Sequence, residues 1–155
     1  MPQAAPPRSR AERTRAAVLE AAEAIFAERG FAATRLEDVA DRVGIRRASI
    51  VYYFKDKKEL YHAVLASVFG GLLAKIDEAL TRPDPLPVRI EAAVGAWIDY
   101  VGARPSIARL LLREVADAAP GRQPAVLEYT RPFFDLVRKQ VFERDRAESA
   151  RFARI

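Results

Sequence analysis

Apolar residues recur at helical spacing through most of the chain, and no stretch alternates as a half-buried strand does, so the pattern predicts an all-α protein. The first helix is expected from about Arg10 to Arg29, with Val18, Ala22 and Ile25 on one stripe and Leu19 and Phe26 beside it. Gly30 should end it, and Phe31 should fold back onto the last turn. Leu36, Val39, Ala40 and Val43 then mark one face of a helix too short to stand alone. Thr34 with Glu37 three residues on has capping-box spacing, which starts this helix at about Arg35. Gly44 allows a sharp turn, Ile45 can plug the corner, and a third helix opens at Arg46. The layout is helix-turn-helix.

Asp56 and Glu59 form a second capping-box pair, opening a long fourth helix to about Leu80. Its positions Leu60, Val64, Val68, Leu72 and Ile76 repeat every four residues. Gly70-Gly71 in its middle costs about 1 kcal/mol per glycine relative to alanine, which leaves close packing or a flexing point as reasons for the pair. Thr81–Pro87 is a proline-dense break. A fifth helix over about Val88–Ala103 carries Ile90, Val94, Trp97, Ile98 and Val101, and Pro105 opens a sixth to about Ala118 with Ile107, Leu110, Leu111 and Val115 inward. After the loop APGRQP, a seventh from about Pro124 carries Val126, Phe133, Phe134, Val137 and Val141, with Pro132 expected to kink or restart it.

Composition narrows the chemistry. The chain has 155 residues, half of them apolar, enough for a core. Without cysteine there is no disulfide, thiolate metal site or thiol nucleophile, and with a single histidine, His62, metal binding and acid–base catalysis lack the groups they need. No catalytic motif is present, and neither an enzyme nor a cofactor is expected. No apolar run reaches the roughly 18 residues a membrane span needs, so a cytoplasmic protein with no membrane partner is expected. Net charge is +5 with pI near 9.8. Residues 1–58 hold twelve Arg/Lys against eight Asp/Glu, so most of the excess lies around the helix-turn-helix and favours a polyanionic partner there.

The second helix of that motif supplies the side chains for such a partner. Arg47, Ala48, Ser49 and Tyr52 stand where base edges are read, and Arg46 and Tyr53 suit phosphates. Lys57 beside the amides after Asp56 makes one phosphate seat, and Thr34 with Arg35 a second; Lys55 is either a further contact or a solvated charge. Arg8 and Arg10 on the Pro/Ala-rich N-terminal arm could serve a minor groove or belong to a loose tail.

The run G-I-R-R-A-S-I-V-Y-Y-F-K-D-K-K-E-L, with E-R-G-F and T-R-L-E-D-V-A upstream, resembles the signature of the tetracycline-repressor (TetR) family over roughly Arg10 to Val64. Arg46 stands where that family often has a capping serine, and Val51 where it often has a phosphate-binding tyrosine. The resemblance implies a disordered arm (1–9), a helix-turn-helix head (10–56) and a helical effector-binding body (57–155). That body looks shortened relative to the family, whose chains continue into two further helices that pair subunits; a homodimer is implied where those helices are present. It also implies a small-organic-effector pocket among Phe69, Leu73, Trp97, Tyr100, Leu111, Phe133 and Phe134, with Arg113 and Glu114 as nearby polar groups; by themselves, such a set of residues is more often plain core. The functional expectation is a transcriptional repressor on a double-stranded, palindromic operator, released by a small hydrophobic or amphipathic effector. The alternative is a non-sensing helical protein-interaction module with non-specific or no DNA binding.

Overall fold

Seven α-helices appear in a computed structural model that describes residues 9–116, 125–144 and 146, and no strand occurs among the described residues. They are α1 (Arg10–Ala33), α2 (Leu36–Val43), α3 (Arg47–Tyr53), α4 (Lys57–Leu80), α5 (Leu86–Ala103), α6 (Pro105–Ala116) and α7 (Val126–Val137). A π-helical stretch, Arg138–Glu143, follows α7 directly. The arm up to residue 8, the APGRQP loop and the tail with Phe152 and Ile155 lie outside the described residues. The chain divides into two compact units, Met1–Val64 and Leu65–Ile155, and the division falls within α4.

In the first unit, sequence and structure agree on elements but differ on how they are capped. Ser9, assigned above to the arm, is the N-cap of α1: its hydroxyl accepts the Glu12 amide at 3.1 Å, and Glu12 accepts the Ser9 amide at 2.6 Å. Gly30 interrupts regular helix with φ 78° and ψ 172°, a conformation open essentially to glycine alone, and one further turn carries α1 to Ala33. Phe31 does fold back, its ring 5.1 Å from that of Tyr61 and 6.2 Å from that of Phe26. The Thr34–Glu37 capping box does not form. The Thr34 hydroxyl turns inward and donates to the Gly30 carbonyl at 2.7 Å, while Asp38 accepts the Arg35 amide at 2.9 Å. Arg35 is therefore the N-cap of α2.

Gly44 closes α2 in the left-handed region (φ 75°, ψ 34°), donating to Ala40 and Asp41, and Ile45 donates to Ala40 at 3.0 Å. This is the Schellman arrangement that turns the chain into α3. α1 packs on α2 and α2 on α3. Val18, Ala22, Ile25, Phe26, Val39, Ala40, Ile50, Phe54, Leu60 and Val64 are all buried between them and the start of α4. Asp56 caps α4 by accepting the Glu59 amide at 2.8 Å, and Glu59 reaches back one residue further than a capping box would, to the Lys55 amide.

In the second unit, Ile76, Ala79 and Leu80 of α4 bury against Ala93 of α5, with Leu72, Ala92, Leu136 and Val141 packed around them. Arg89 and Arg144 both donate to the Leu80 carbonyl, at 3.1 and 3.3 Å, capping the C-terminal end of α4 with guanidinium groups. Three features depart from the pattern read in the sequence. α7 runs through Pro132 without a break in the helix, and the change of helical form comes later, at Arg138. The α5 stripe faces outward: Ile90, Val94, Trp97 and Ile98 are exposed, while Arg89 and Ala93 on another face are buried. Val115 on α6 is likewise exposed, although Ile107 and Leu110 are buried as expected. An apolar stripe states which face gains from cover; it does not supply the cover.

Candidate nucleic-acid interface

The first unit presents the N-terminal ends of α2 and α3 beside each other. Between them and the start of α4 opens a cleft of about 520 Å³ lined by Thr34, Arg35, Leu36, Glu37, Arg47, Val51, Lys55, Asp56 and Lys57. Arg35 and Lys55 are exposed there and bring positive charge to the cleft. α3 starts without a side-chain cap: Arg46 is its N-cap residue, and its carbonyl accepts the Ser49 amide at 2.8 Å. That leaves the Arg46 side chain exposed to solvent.

The other α3 positions sort by exposure. Ile50 is fully buried and holds the helix to the core, whereas Ala48 is exposed, Ser49 and Tyr53 are half-buried, and Tyr52 is 82% exposed. The Tyr52 and Tyr53 rings meet edge to face at 5.1 Å, a contact that limits how either swings. Phe54 is buried under the Arg15 guanidinium, 5.0 Å from its ring centroid, and anchors the end of α3.

Two of the residues read as phosphate seats are turned elsewhere. Thr34 is 1% exposed with its hydroxyl committed to Gly30, so its side chain does not face the cleft as a donor. The Lys57 ammonium donates to the carbonyls of Phe31, Ala32 and Thr34, at 2.7, 3.2 and 2.9 Å, and lies 4.5 Å from the Phe31 ring centroid. An ammonium has three hydrogens, and all three are directed at the end of α1. Lys57 thus closes the C-terminal end of α1 and ties it to the start of α4. Sequence reasoning also missed a pairing: Arg47 Nε lies 2.9 Å from Glu37 Oε1, joining α3 to α2. Opposite charges ten positions apart carry no signal until the turn at Gly44 is folded.

The seven body residues named for an effector have different surroundings. Of the seven, only Leu73 lines the larger cleft of about 690 Å³ between α4, α7 and the π-helical stretch, together with Gly70, Asp77, Asp135, Arg138 and Glu143 among others. Trp97 is 50% and Phe134 67% exposed, and the Phe133 and Phe134 rings pack on each other. Phe69 stacks with Tyr129, whose phenol is pushed above its ordinary pKa by burial and, second, by the charge of Glu128. Tyr100 donates to the Val68 carbonyl at 3.0 Å and accepts from Arg104 at 2.8 Å. Leu111 is half-buried on α6. Among the described residues no cluster of His, Cys, Asp and Glu could hold a metal ion, and no helix is long and apolar enough to cross a membrane.

Residues 18–64 match the family model described as bacterial regulatory proteins, tetR family. Over 78 residues the chain is 41% identical to the HTH-type transcriptional regulator TtgR of Pseudomonas putida, which covers 49% of this chain and 37% of that protein. Over 87 residues it is 35% identical to the HTH-type transcriptional activator FasR of Mycolicibacterium smegmatis, covering 56% and 40%. These matches therefore span well under half of either relative. The solved structure of a SmeT-Triclosan complex superposes with a TM-score of 0.65 at 21% identity, over 83% of this chain and 64% of that one, and shares the fold.

Proposed function

Since the chain belongs, through residues 18–64, to the tetR family of bacterial regulatory proteins, we propose that it is a DNA-binding transcriptional regulator rather than an enzyme, acting in the cytoplasm. α3 enters the major groove, where Arg47, Ala48, Ser49 and Tyr52 meet base edges; Arg35, Arg46, Tyr53 and Lys55 take phosphates. The observation that carries this reading is the free presentation of α3: its N-terminal arginines and Tyr52 are exposed beside a basic cleft, while Ile50 and Phe54 fix it from behind.

The finer reading is a repressor that binds a palindromic operator as a homodimer, its two α3 helices meeting successive major grooves about 34–36 Å apart. A small hydrophobic or amphipathic molecule bound by the body releases it. The cleft beside α4 and α7 has a volume within the range of about 300–1,000 Å³ usual for small-molecule sites. The triclosan of the SmeT complex is in keeping with that chemistry. Selection of the full chain against a library of random-sequence duplexes tests the core of the proposal: a two-fold symmetric motif should be enriched, and recovery of the input distribution would overturn it. Transcription from a promoter carrying that motif should fall on adding the protein. A rise would make it an activator, the role in the name of FasR.

A further inference from the structure

Glu37 has no part in capping α2, since Asp38 takes the Arg35 amide. Its carboxylate instead lies 2.9 Å from Arg47 Nε, across the turn between α2 and α3. Both side chains line the same cleft and are more than half exposed, Glu37 by 55% and Arg47 by 61%. An exposed pair of this kind contributes little to stability, so folding does not account for it.

Orientation does. A guanidinium is planar, and a carboxylate on its Nε edge fixes the plane while leaving the terminal amino groups directed away, in the geometry that matches the two acceptors of a guanine. We propose that Glu37 is a specificity-determining residue: it holds the Arg47 guanidinium so that its terminal nitrogens meet a base edge rather than a phosphate. The inference rests on the DNA reading made above. Water leaves such an interface on binding, the local dielectric falls, and an Nε–H without a partner would then stand unsatisfied; Glu37 accepts it. The same carboxylate lines the cleft that Arg35 and Lys55 also line, and its negative charge offsets part of theirs. It therefore opposes binding that rests on phosphates alone, and widens the gap between right and wrong sequences.

The test uses the full chain and the same random-sequence duplex selection. The position to watch is the base pair whose preference is lost in Arg47→Ala. Glu37→Gln keeps the size and an acceptor oxygen but replaces the charge-assisted bond to Nε by a neutral one about half as strong, so discrimination at that base pair should fall about fivefold or more, while affinity for unrelated duplexes rises. Glu37→Asp keeps the charge but withdraws it from Nε; discrimination should fall with no such rise. In an Arg47→Lys background, which has no Nε–H in that plane, Glu37→Gln should change discrimination no further. Unchanged discrimination in Glu37→Gln and Glu37→Asp, with helix content intact by circular dichroism, would overturn the proposal and leave Glu37 as an acid in the first turn of α2. A wild-type chain that enriches no sequence at all would instead overturn the DNA reading, and this inference with it.

Discussion

Arg47 and Lys57 look alike in a sequence, two basic residues at helix starts, yet their surroundings assign them different work. Arg47 is exposed at the first turn of α3, so Arg47→Ala should cost about 1–3 kcal/mol on the selected duplex and relax preference at one base pair. Equal weakening on unrelated duplexes, measured by equilibrium titration, would remove it from base reading. Lys57 spends its donors on the end of α1, so Lys57→Met should lower thermal stability by about 1–2 kcal/mol and leave the slope of log affinity against log salt unchanged. A slope smaller by about 0.9 would instead make Lys57 a phosphate contact. Sequence alone did not separate these two cases. The acceptors of Lys57 lie 23 to 26 residues earlier, and they come into reach only when α4 docks against α1. Thr34 was misread for a related reason: a threonine at a helix start can cap forward or bond back one turn, and the glycine kink at Gly30 leaves a carbonyl that draws it back.

At the scale of elements, what is written locally in the chain is what could be read from it. The seven helices and the αL turn at Gly44 follow from apolar spacing, caps and glycines, each a matter of neighbours within a turn or two. The buried face of α5 was not legible, because Ile90, Val94, Trp97 and Ile98 form a stripe whose partner is no local property. The glycine pair in α4 shows the same division. A Cβ at Gly71 would run into the Tyr100 hydroxyl, the group that reaches the Val68 carbonyl, whereas a Cβ at Gly70 would meet nothing within 4 Å. Close packing thus accounts for Gly71. Gly70→Ala should raise stability by up to about 1 kcal/mol through helix propensity, and Gly71→Ala should lower the melting temperature, partly restored by Tyr100→Phe, which removes the hydroxyl. Equal effects of the two alanines in thermal melts would contradict this assignment. Because Gly70 is the glycine with room to vary, it is also the one to use in asking whether α4 must bend: Gly70→Ala with unaltered effector release would rule bending at this position out.

For the whole molecule, the charge of +5 and its concentration around the helix-turn-helix suit a polyanion, and the exposed α3 suits a groove. α4 runs from Lys57 to Leu80 and carries residues of both units. A two-groove mechanism also needs two copies. Sedimentation equilibrium of this chain on its selected duplex should give two protomers per site, and one protomer per site would confine the account to a single half-site. The claim beneath all of these is that the chain reads sequence through α3. Equilibrium binding to the selected duplex and to a shuffled duplex of the same composition, over a series of salt concentrations, tests it most directly. The logarithms of both affinities should fall linearly with log salt, while the selected duplex keeps an advantage of about a thousandfold or more that Arg47→Ala reduces. Equal affinity for the two duplexes at every salt concentration would contradict the account.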